Sequence, residues 1–414
     1  MTTHGTRPEP TGTGATNRSR SSLPLWLLAL FLLAFSFGTD DLIIAGILPD
    51  ISRDLDVSVA MGGQLVTVFA LTFALGAPVA AFLTARLPRR RVLIGAAAVF
   101  VLANVGAALA PTYGLLLVAR IVSGLAAATA SPAAFAIAAT AAPEGRQGRF
   151  LAIVGAGLTT SLVAGVPIGT WIGGELGWRA TMLYVAAIAL VAGLGLLLTL
   201  PPLPGGERTR LKDRLAPLRR PATAAALLAM IPSSAGGMMS YVYITEIIDR
   251  LGGIQGAAVA PLITAMGLAG IIGAFAGGQL VDALGALRAL MILLCGVLAA
   301  PLLMVVLGVS GGPYPVHVVA FVLVLYGLAT WGIAPATQAW LLERGNGPGA
   351  ANELIALNNS AMFLGFSLAG GIGGLVLETN GPLAVPAVAA GCVLVSLALF
   401  WAGFTSERRR RVSR

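Results

Sequence analysis

Twelve stretches of about twenty residues or more, nearly bare of charge, follow one another along this chain. They cover residues 25–48, 61–84, 92–110, 113–142, 150–176 and 180–200, then 222–248, 257–281, 287–309, 315–342, 351–377 and 383–404. A backbone at the depth of a bilayer finds no water, so it must satisfy itself as a helix or as a closed barrel. The runs are continuous rather than alternating, which favours helices over a barrel. Composition agrees: 57% of residues are hydrophobic and 10% charged, against about 25% charged in soluble domains. Mean hydropathy is +0.89. The expected fold is an all-α integral membrane protein.

The net charge of +9 is topological rather than a sign of nucleic-acid binding. Of 26 Lys and Arg, 22 fall on one side of a twelve-span arrangement. They are Arg7, Arg18, Arg20, Arg86, Arg89, Arg90, Arg91, Arg146 and Arg149, the loop residues Arg208, Arg210, Lys212, Arg214, Arg219 and Arg220, then Arg288, Arg344, Arg408 to Arg411 and Arg414. Arg53, Arg179 and Arg250 lie on the other side, and Arg120 lies inside a span. The positive-inside rule then places both termini and the central loop in the cytoplasm. Losing or adding one span would scramble this bias, so charge supports twelve independently of hydropathy.

Residues 1–22 are polar and read as a disordered cytoplasmic tail without a cleavable signal. The Pro-rich basic segment 201–220 separates a six-span bundle at 23–200 from a second at 221–405. Residues 406–414 form a basic tail whose Arg408 to Arg411 suit anionic lipid. Cys295 and Cys392 fall in apolar spans and read as packing residues. One Lys against 25 Arg, with heavy Ala and Gly use, points to a GC-rich bacterial genome and an inner-membrane location.

The two bundles echo each other. The sequence after the second span, Ala81 to Arg91, aligns with Gly278 to Arg288 after the eighth: Leu83 matches Leu280, Ala85 matches Asp282, and Pro88 matches Gly285. Repeated six-span units with a site near mid-membrane are a common build of secondary carriers, which rock one half against the other. Small residues recur every fourth position at Gly165, Gly169 and Gly173, at Gly270, Ala274 and Gly278, and at Gly365, Ala369 and Gly373. Such lines let backbones approach closely. They serve either packing within a bundle or a sliding interface between bundles, and the interface is the expectation carried forward.

Asp40 and Asp41 break the first span, at a cost of roughly 2.5–3.5 kcal/mol for a carboxylate near mid-bilayer. A chain that bears this cost usually uses the acid for a proton, an ion or a substrate. Asp41 lies about 10 Å from the outer end of its helix at 1.5 Å per residue, and Arg120, seven residues after Tyr113, lies at a matching depth. An acid and a base at one depth can pair and offset each other's cost. Neighbouring helix positions point about 100° apart, so Asp40 and Asp41 cannot both face one cavity.

These features together resemble the major facilitator superfamily, in its twelve-span drug:proton antiporter branch. Gly38-Thr-Asp-Asp-Leu-Ile-Ile-Ala-Gly-Ile-Leu-Pro49 resembles the first-span motif of that branch, and Arg120-Ile-Val-Ser-Gly124 resembles the fourth-span motif around a buried Arg. Gly165-Val-Pro167-Ile-Gly169, after Gly157, resembles the fifth-span antiporter motif, with Gly173 continuing its packing line. Gly278 to Gly285, with Asp282 and Arg288, resembles the cytoplasmic loop motif. Gly46-Ile-Leu-Pro49 and Gly177-Trp-Arg179 are similar to the chloramphenicol- and arabinose-efflux-like subgroup. The resemblance implies two pseudo-symmetric six-helix bundles and a proton-coupling acid. It favours Asp41, which aligns with the family's acid; Asp40 points to span-end polar groups or shares the proton. One departure is Ala85, where the family's gating loop has an acid, so that network rests on Arg86, Arg89 and Arg90 with other partners or is weaker.

Desolvation raises a carboxyl pKa and a nearby Arg lowers it. A group balanced between the two can trade its proton for cargo, driven by about 2.3 kcal/mol per charge per 100 mV. The competing reading is a fixed Asp41–Arg120 bridge that never titrates. Further cavity candidates are Asn104, Ser131 and Ser161 in the first bundle, and Tyr241, Tyr243, Glu246, Trp331, Gln338, Asn358 and Asn359 in the second. Aromatic rings with few polar groups suit an amphipathic ligand. Glu246 sits close to an outer end, and His317 near an outer loop is not expected to relay protons. No phosphate-binding Gly-Lys loop and no metal-ligand spacing is present, so the expectation is no enzyme, no cofactor and no metal. The expected activity is proton-coupled export of drugs or antibiotics by a monomer whose partners are substrate, protons and the bilayer. Alternatives are a same-fold sugar or amino-acid carrier, or a membrane sensor that does not transport.

Overall fold

The computed structural model describes residues 23–205, 216–219, 221–343 and 350–412. The expectations for the tail 1–22, for most of the linker 201–220, for Arg344, for the side chains of Arg408 to Arg411 and for Arg414 fall outside that description. The described residues form helices and no strand. Twelve of the helical segments are long and apolar enough to cross a membrane.

In chain order the helices are α1 (Leu25–Asp54), α2 (Val59–Leu83), α3 (Arg89–Ala108), α4 (Tyr113–Thr140), α5 (Gln147–Thr160), α6 (Val166–Leu176) and α7 (Trp178–Thr199). After the linker come α8 (Pro221–Val242), α9 (Ile244–Gly252), α10 (Ala260–Leu284), α11 (Ala286–Ser310), α12 (Val316–Leu342), α13 (Ala350–Asn380) and α14 (Ala384–Val412). Local chemistry sets their ends. Ser58 and Thr112 cap α2 and α4 by accepting from Met61 N–H at 3.1 Å and Leu115 N–H at 3.5 Å. Gly177 (φ +86°) and Gly285 (φ +81°) make the sharp reversals between α6 and α7 and between α10 and α11, a conformation that disfavours any side chain. The glycine that closes the loop motif is thus a turn residue.

Three segments depart from the hydropathy reading. The first span runs through Pro49 to Asp54, because a helix in apolar surroundings tolerates an internal Pro. The fifth is interrupted by a π-helical turn at Ser161–Gly165, where Val166 N–H reaches back five residues to Ser161 O. Pro167 follows at once, and its missing N–H removes the normal partner of Val163 O. The seventh ends at Val242, and Tyr243 breaks the chain into the short α9, whose acids do not suit the hydrocarbon.

One hydrophobic cluster is drawn almost wholly from the first six spans around Leu30, Phe69 and Phe100, and another from the last six around Leu290 and Leu294. A third joins both sets through Ile43, Ile47, Tyr241, Tyr243 and Met266. Large apolar side chains such as Leu198 and Phe275 point outward, as a lipid-facing surface requires.

The glycine lines do not all lie where a sliding interface would need them. A Cβ on Gly169 or Gly173 would meet Ile43 or Ile47 of α1 and Thr181 of α7, and one on Gly165 would meet Thr39 and Phe35; all are in the same half. Gly157 likewise packs against Phe31 and Ala34. In α13, Gly365 and Gly373 face α8 and its end, while the offset pair Gly370 and Gly374 face Gly63, Thr67 and Ala60 of α2. In α10, Gly267 and Gly270 meet Leu162 across the seam, and Gly278 meets nothing within 4 Å. A one-residue offset turns a helix position by about 100°, enough to move a line from one neighbour to another.

Candidate functional site

The middle of α1 presents Ser36, Thr39, Asp40 and Ile43 to the protein interior. Ser36 and Thr39 return their hydroxyl protons to Leu33 O and Phe35 O, each at 2.8 Å, so they need no outside partner. Asp40 is fully buried, and its Oδ1 meets Arg120 Nη1 at 2.7 Å. Arg120 Nη2 also donates to Asp40 O at 3.2 Å, and its guanidinium lies 4.4 Å from the Phe69 ring centre. The partner of Arg120 is therefore Asp40, not Asp41. The equal-depth argument found the right helices, and the 100° step between neighbours selected the other acid.

The bridge leaves two polar atoms unserved: Asp40 Oδ2 and Arg120 Nε are buried without a hydrogen-bond partner among the described residues. Asn104 and Ser123 sit beside the carboxyl group. Asn104 gives its amide to Phe100 O at 3.1 Å, and Ser123 gives its hydroxyl to Arg120 O at 3.1 Å. Asp41 is only half-buried and makes no hydrogen bond or ion pair with the described residues. It lies within electrostatic reach of Arg120, Asp40 and Tyr241.

Tyr241 belongs to α8 and donates to Leu42 O across the seam at 3.1 Å. Its ring meets Trp331 of α12 edge-on at 5.7 Å, and Trp331 meets Tyr326 edge-on at 6.5 Å. Tyr326 in turn donates to Gly237 O. An aromatic group from the last six spans thus stands beside the residue next to Asp41.

The other candidates scatter. Tyr243 is not free in a cavity: it is fully buried, donates to Gly370 O at 2.5 Å and packs against the Cα faces of Gly63, Gly373 and Gly374. With Thr245 Oγ1, which donates to Ala45 O at 3.4 Å, it closes the seam at the Arg-poor end, the end nearest Arg53, Arg179 and Arg250. Ser161 opens the π turn and bonds Leu158 O at 2.6 Å. Ser131 is half-buried, Gln338 and Asn359 are exposed, and Asn358 is buried with its Oδ1 unpartnered among the described residues. Glu246 lies on α9, in a pocket against the end of α1.

The loop arginines act on backbone rather than on acids. Arg89 Nη1 donates to Ala136 O in α4 at 3.2 Å, and Arg90 Nη2 donates to Leu197 O in α7 at 2.6 Å. Both oxygens lie near helix C-termini, where a cation is favoured. Arg86, Asp282 and Arg288 are exposed, and none makes an ion pair among the described residues.

Sequence reasoning missed Phe69 and Tyr326, which carry no pattern that marks them. It noted Gly177-Trp178-Arg179 but not its partner. Trp178 Nε1 donates to Asp54 Oδ2 at 3.1 Å, Arg179 pairs with the same carboxylate, and Arg179 Nη2 donates to Ala110 O at 3.1 Å. The Arg179 guanidinium lies 4.4 Å from the Trp178 ring centre. This knot ties α1, α7 and the α3–α4 turn. Among the described residues, no group of three His, Cys, Asp or Glu side chains could hold a metal ion.

Comparison with known proteins agrees with this architecture. Residues 30–370 match the Major Facilitator Superfamily profile. The chain is 30% identical to the MFS-type transporter YbcL of Bacillus subtilis (strain 168), over 92% of this chain and 96% of YbcL. It is 31% identical to the inner membrane transport protein YdhP of Escherichia coli (strain K12), over 93% and 96% of the two chains. A chloramphenicol resistance protein of Streptomyces lividans is 34% identical over 63% of this chain and 67% of its own length. Among solved structures, a point mutant of the nucleoside transporter NupG superposes with a TM-score of 0.75 at 14% identity, covering 92% of this chain and 100% of NupG. A bacterial homologue of the lysosomal transporter Spinster, in an inward-facing and occupied conformation, gives 0.68 at 19% identity over 92% and 96%. The latter two share the fold alone. With twelve apolar helices and a profile match over most of its length, the chain belongs to the Major Facilitator Superfamily, whose members here are membrane transporters and not enzymes.

Proposed function

We propose that this protein is a proton-coupled exporter of small amphipathic compounds, antibiotics among them, working by alternating access. The observation that carries the reading is the division of labour between the adjacent acids. Arg120 is taken up by Asp40, so Asp41 is left half-buried and unpaired, within electrostatic reach of Tyr241, whose ring meets Trp331 and through it Tyr326. An acid in apolar surroundings that lacks a fixed counter-ion can be neutralised by a proton or by a cationic part of a cargo molecule, and not by both at once. Aromatic walls supply the apolar complement such cargo needs. The resistance activity in the name of the Streptomyces relative points the same way.

On this reading the Arg-rich side, with both termini, faces the cytoplasm. The seam at the Arg-poor end, held by Tyr241, Tyr243 and Thr245, is the closed outer side. Asp41 takes a proton when the outer side opens and releases it when the inner side opens, and cargo leaves in exchange. The carrier works as a monomer without a cofactor.

The test is a resistance profile across a drug panel for wild type, Asp41→Asn and Asp40→Asn, with substrate-driven proton release measured on purified protein. Asp41→Asn loses resistance and proton release while still reaching the membrane. If it exports charged and neutral drugs as wild type does, the assignment of Asp41 fails. Unchanged metabolite uptake separates export of drugs from sugar or amino-acid transport, and proton release excludes a sensor that does not transport.

A further inference from the structure

A cavity of about 280 Å³ sits on the seam at the Arg-poor end, between the last turns of α1 and the short α9 with its following turn. Asp50 and Arg53 of α1 line it from the first half; Thr245, Glu246, Asp249 and Gln255 line it from the second. It is therefore an acid-rich chamber whose two walls belong to the bodies that must part for the outer side to open. Beside the chamber the seam is bridged where Thr245 hooks onto Ala45 O.

The charges in it are unequally served. Asp50 is paired with Arg53. Asp249 accepts from Gln255 Nε2 at 2.9 Å. Glu246 is half-buried and makes no hydrogen bond or ion pair among the described residues. The helices packed on α9 bring no second cation to it. Beyond Asp50 and Arg53, the charges of α1 are Asp54, held by Arg179, and farther from this end Asp40, held by Arg120, and Asp41. The described part of α8 and the outer end of α11 carry no charge, α12 carries the exposed His317, and Arg250 on α9 itself points to solvent.

We propose that Glu246 is a proton-operated latch on the outer gate: protonated, it lets the chamber stay shut, and ionised, it drives α9 away from the end of α1. The latch rests on the alternating-access reading above. With Glu246 neutral, the closed chamber holds the carboxylates of Asp50 and Asp249 against Arg53. With Glu246 ionised, it holds three carboxylates against one guanidinium that is itself largely exposed, so their mutual repulsion is only partly offset. Burial lifts the Glu246 carboxyl above the ordinary carboxylate range, and Asp249 adds to the effect.

The sign follows from linkage. A carboxyl whose pKa is higher in the closed state binds its proton more tightly there, so acid favours closure. That preference is complete below the open-state pKa and is lost as pH rises through the closed-state pKa. Each unit of difference between the two states changes the open-to-closed ratio about tenfold. A carrier that takes protons from an acidic exterior would thereby close behind them.

The experiment places spin labels at Glu175→Cys and Ser310→Cys, exposed positions near the Arg-poor end on opposite halves, with Cys295→Ser and Cys392→Ser removing the native thiols. Distances are measured on the full protein in lipid nanodiscs from about pH 5 to about pH 9, a range that spans the ordinary and raised carboxylate values. The parent pair is expected to hold the short distance in acid and to gain a longer one as pH rises. Glu246→Gln is expected to keep the short distance throughout, and Glu246→Asp, which retains the charge, to restore the pH response. Asp41→Asn is expected to retain that response whether or not it still transports. A pair that ignores pH, or a Glu246→Gln protein that follows pH as its parent does, overturns the latch. If Asp41→Asn alone abolishes the response, the proton sensed is the coupling proton, and the latch falls while the proposed function stands.

Discussion

Replacing Asp40 with Asn takes away the carboxylate that Arg120 meets at 2.7 Å. Both side chains are fully buried or nearly so, at 0% and 1% exposure, so the freed guanidinium cannot turn to water. Removing one partner of such a pair costs about 3–5 kcal/mol, because a charge is left desolvated and unmatched. The Phe69 face recovers only about 1–2 kcal/mol at most, and it is already engaged in the wild type. An unfolding entropy of about 2.1 cal/mol/K per residue gives roughly 0.9 kcal/mol/K for a chain of this length, hence a loss of about 3–6 °C in Tm. Helices that persist in detergent reduce that entropy and enlarge the shift. Asp41→Asn breaks no ion pair and takes an unpaired carboxylate out of apolar surroundings, so it is expected not to lower Tm. Tryptophan fluorescence during thermal unfolding in detergent reads both. The double variant Asp40→Asn, Arg120→Gln carries no buried charge at this point and is expected to recover most of the loss, which makes the cycle strongly non-additive. If Asp40→Asn melts with wild type while Asp41→Asn melts several degrees lower, Arg120 pairs with Asp41 and the division of labour is refuted.

The seam gives a second prediction. A Cβ on Gly63 would lie 2.7 Å from Tyr243 Cζ, so Gly63→Ala is expected to push the tyrosine out and raise labelling of a cysteine placed at the Arg-poor end, and Tyr243→Ala, which loses the bond to Gly370 O, should do the same. Gly157→Val places methyl groups onto Ala34 and Phe31 O of α1; overpacking of this kind costs about 1–3 kcal/mol and should lower Tm without changing the proton stoichiometry of the protein that remains folded. Arg179→Gln removes the ion pair with Asp54 and one bond to Ala110 O; since the pair is about half exposed, the loss is expected to be small, about 1 kcal/mol or less, and to shrink in salt. The Glu246 latch predicts a gate that opens as pH rises, read by the distance between labels at positions 175 and 310.

The pieces of the site differ in how they are held. Asp40 and Arg120 fasten α1 to α4 within the first half, and the π turn packs onto Gly38 and Thr39 directly beside them. Leu162 of that same turn meets Gly267 and Gly270 of α10 in the other half. The acid segment and the seam are thus one turn of helix apart, so movement of α10 against the first half bears on the surroundings of Asp40 and Asp41.

The number and helical nature of the spans were legible in the sequence, although the ends of the first and seventh and the break in the fifth were not. Twelve spans, their helical form and the depth of the Asp pair against Arg120 all follow from the cost of exposing backbone and charge to hydrocarbon. The Gly-Pro motif and the loop glycine were visible as motifs. Their structural meaning, a π turn at Ser161–Gly165 and a positive φ at Gly285, was not. Azimuth came from packing alone. Whether Asp40 or Asp41 meets Arg120, whether Ala369 or Gly370 of α13 faces α2, and whether Tyr243 lines a cavity or seals a gate all turn on rotations of about 100° per residue. Hydropathy in these spans is nearly uniform around the helix, so composition holds no record of which face meets which neighbour; contact with the other helices supplies it.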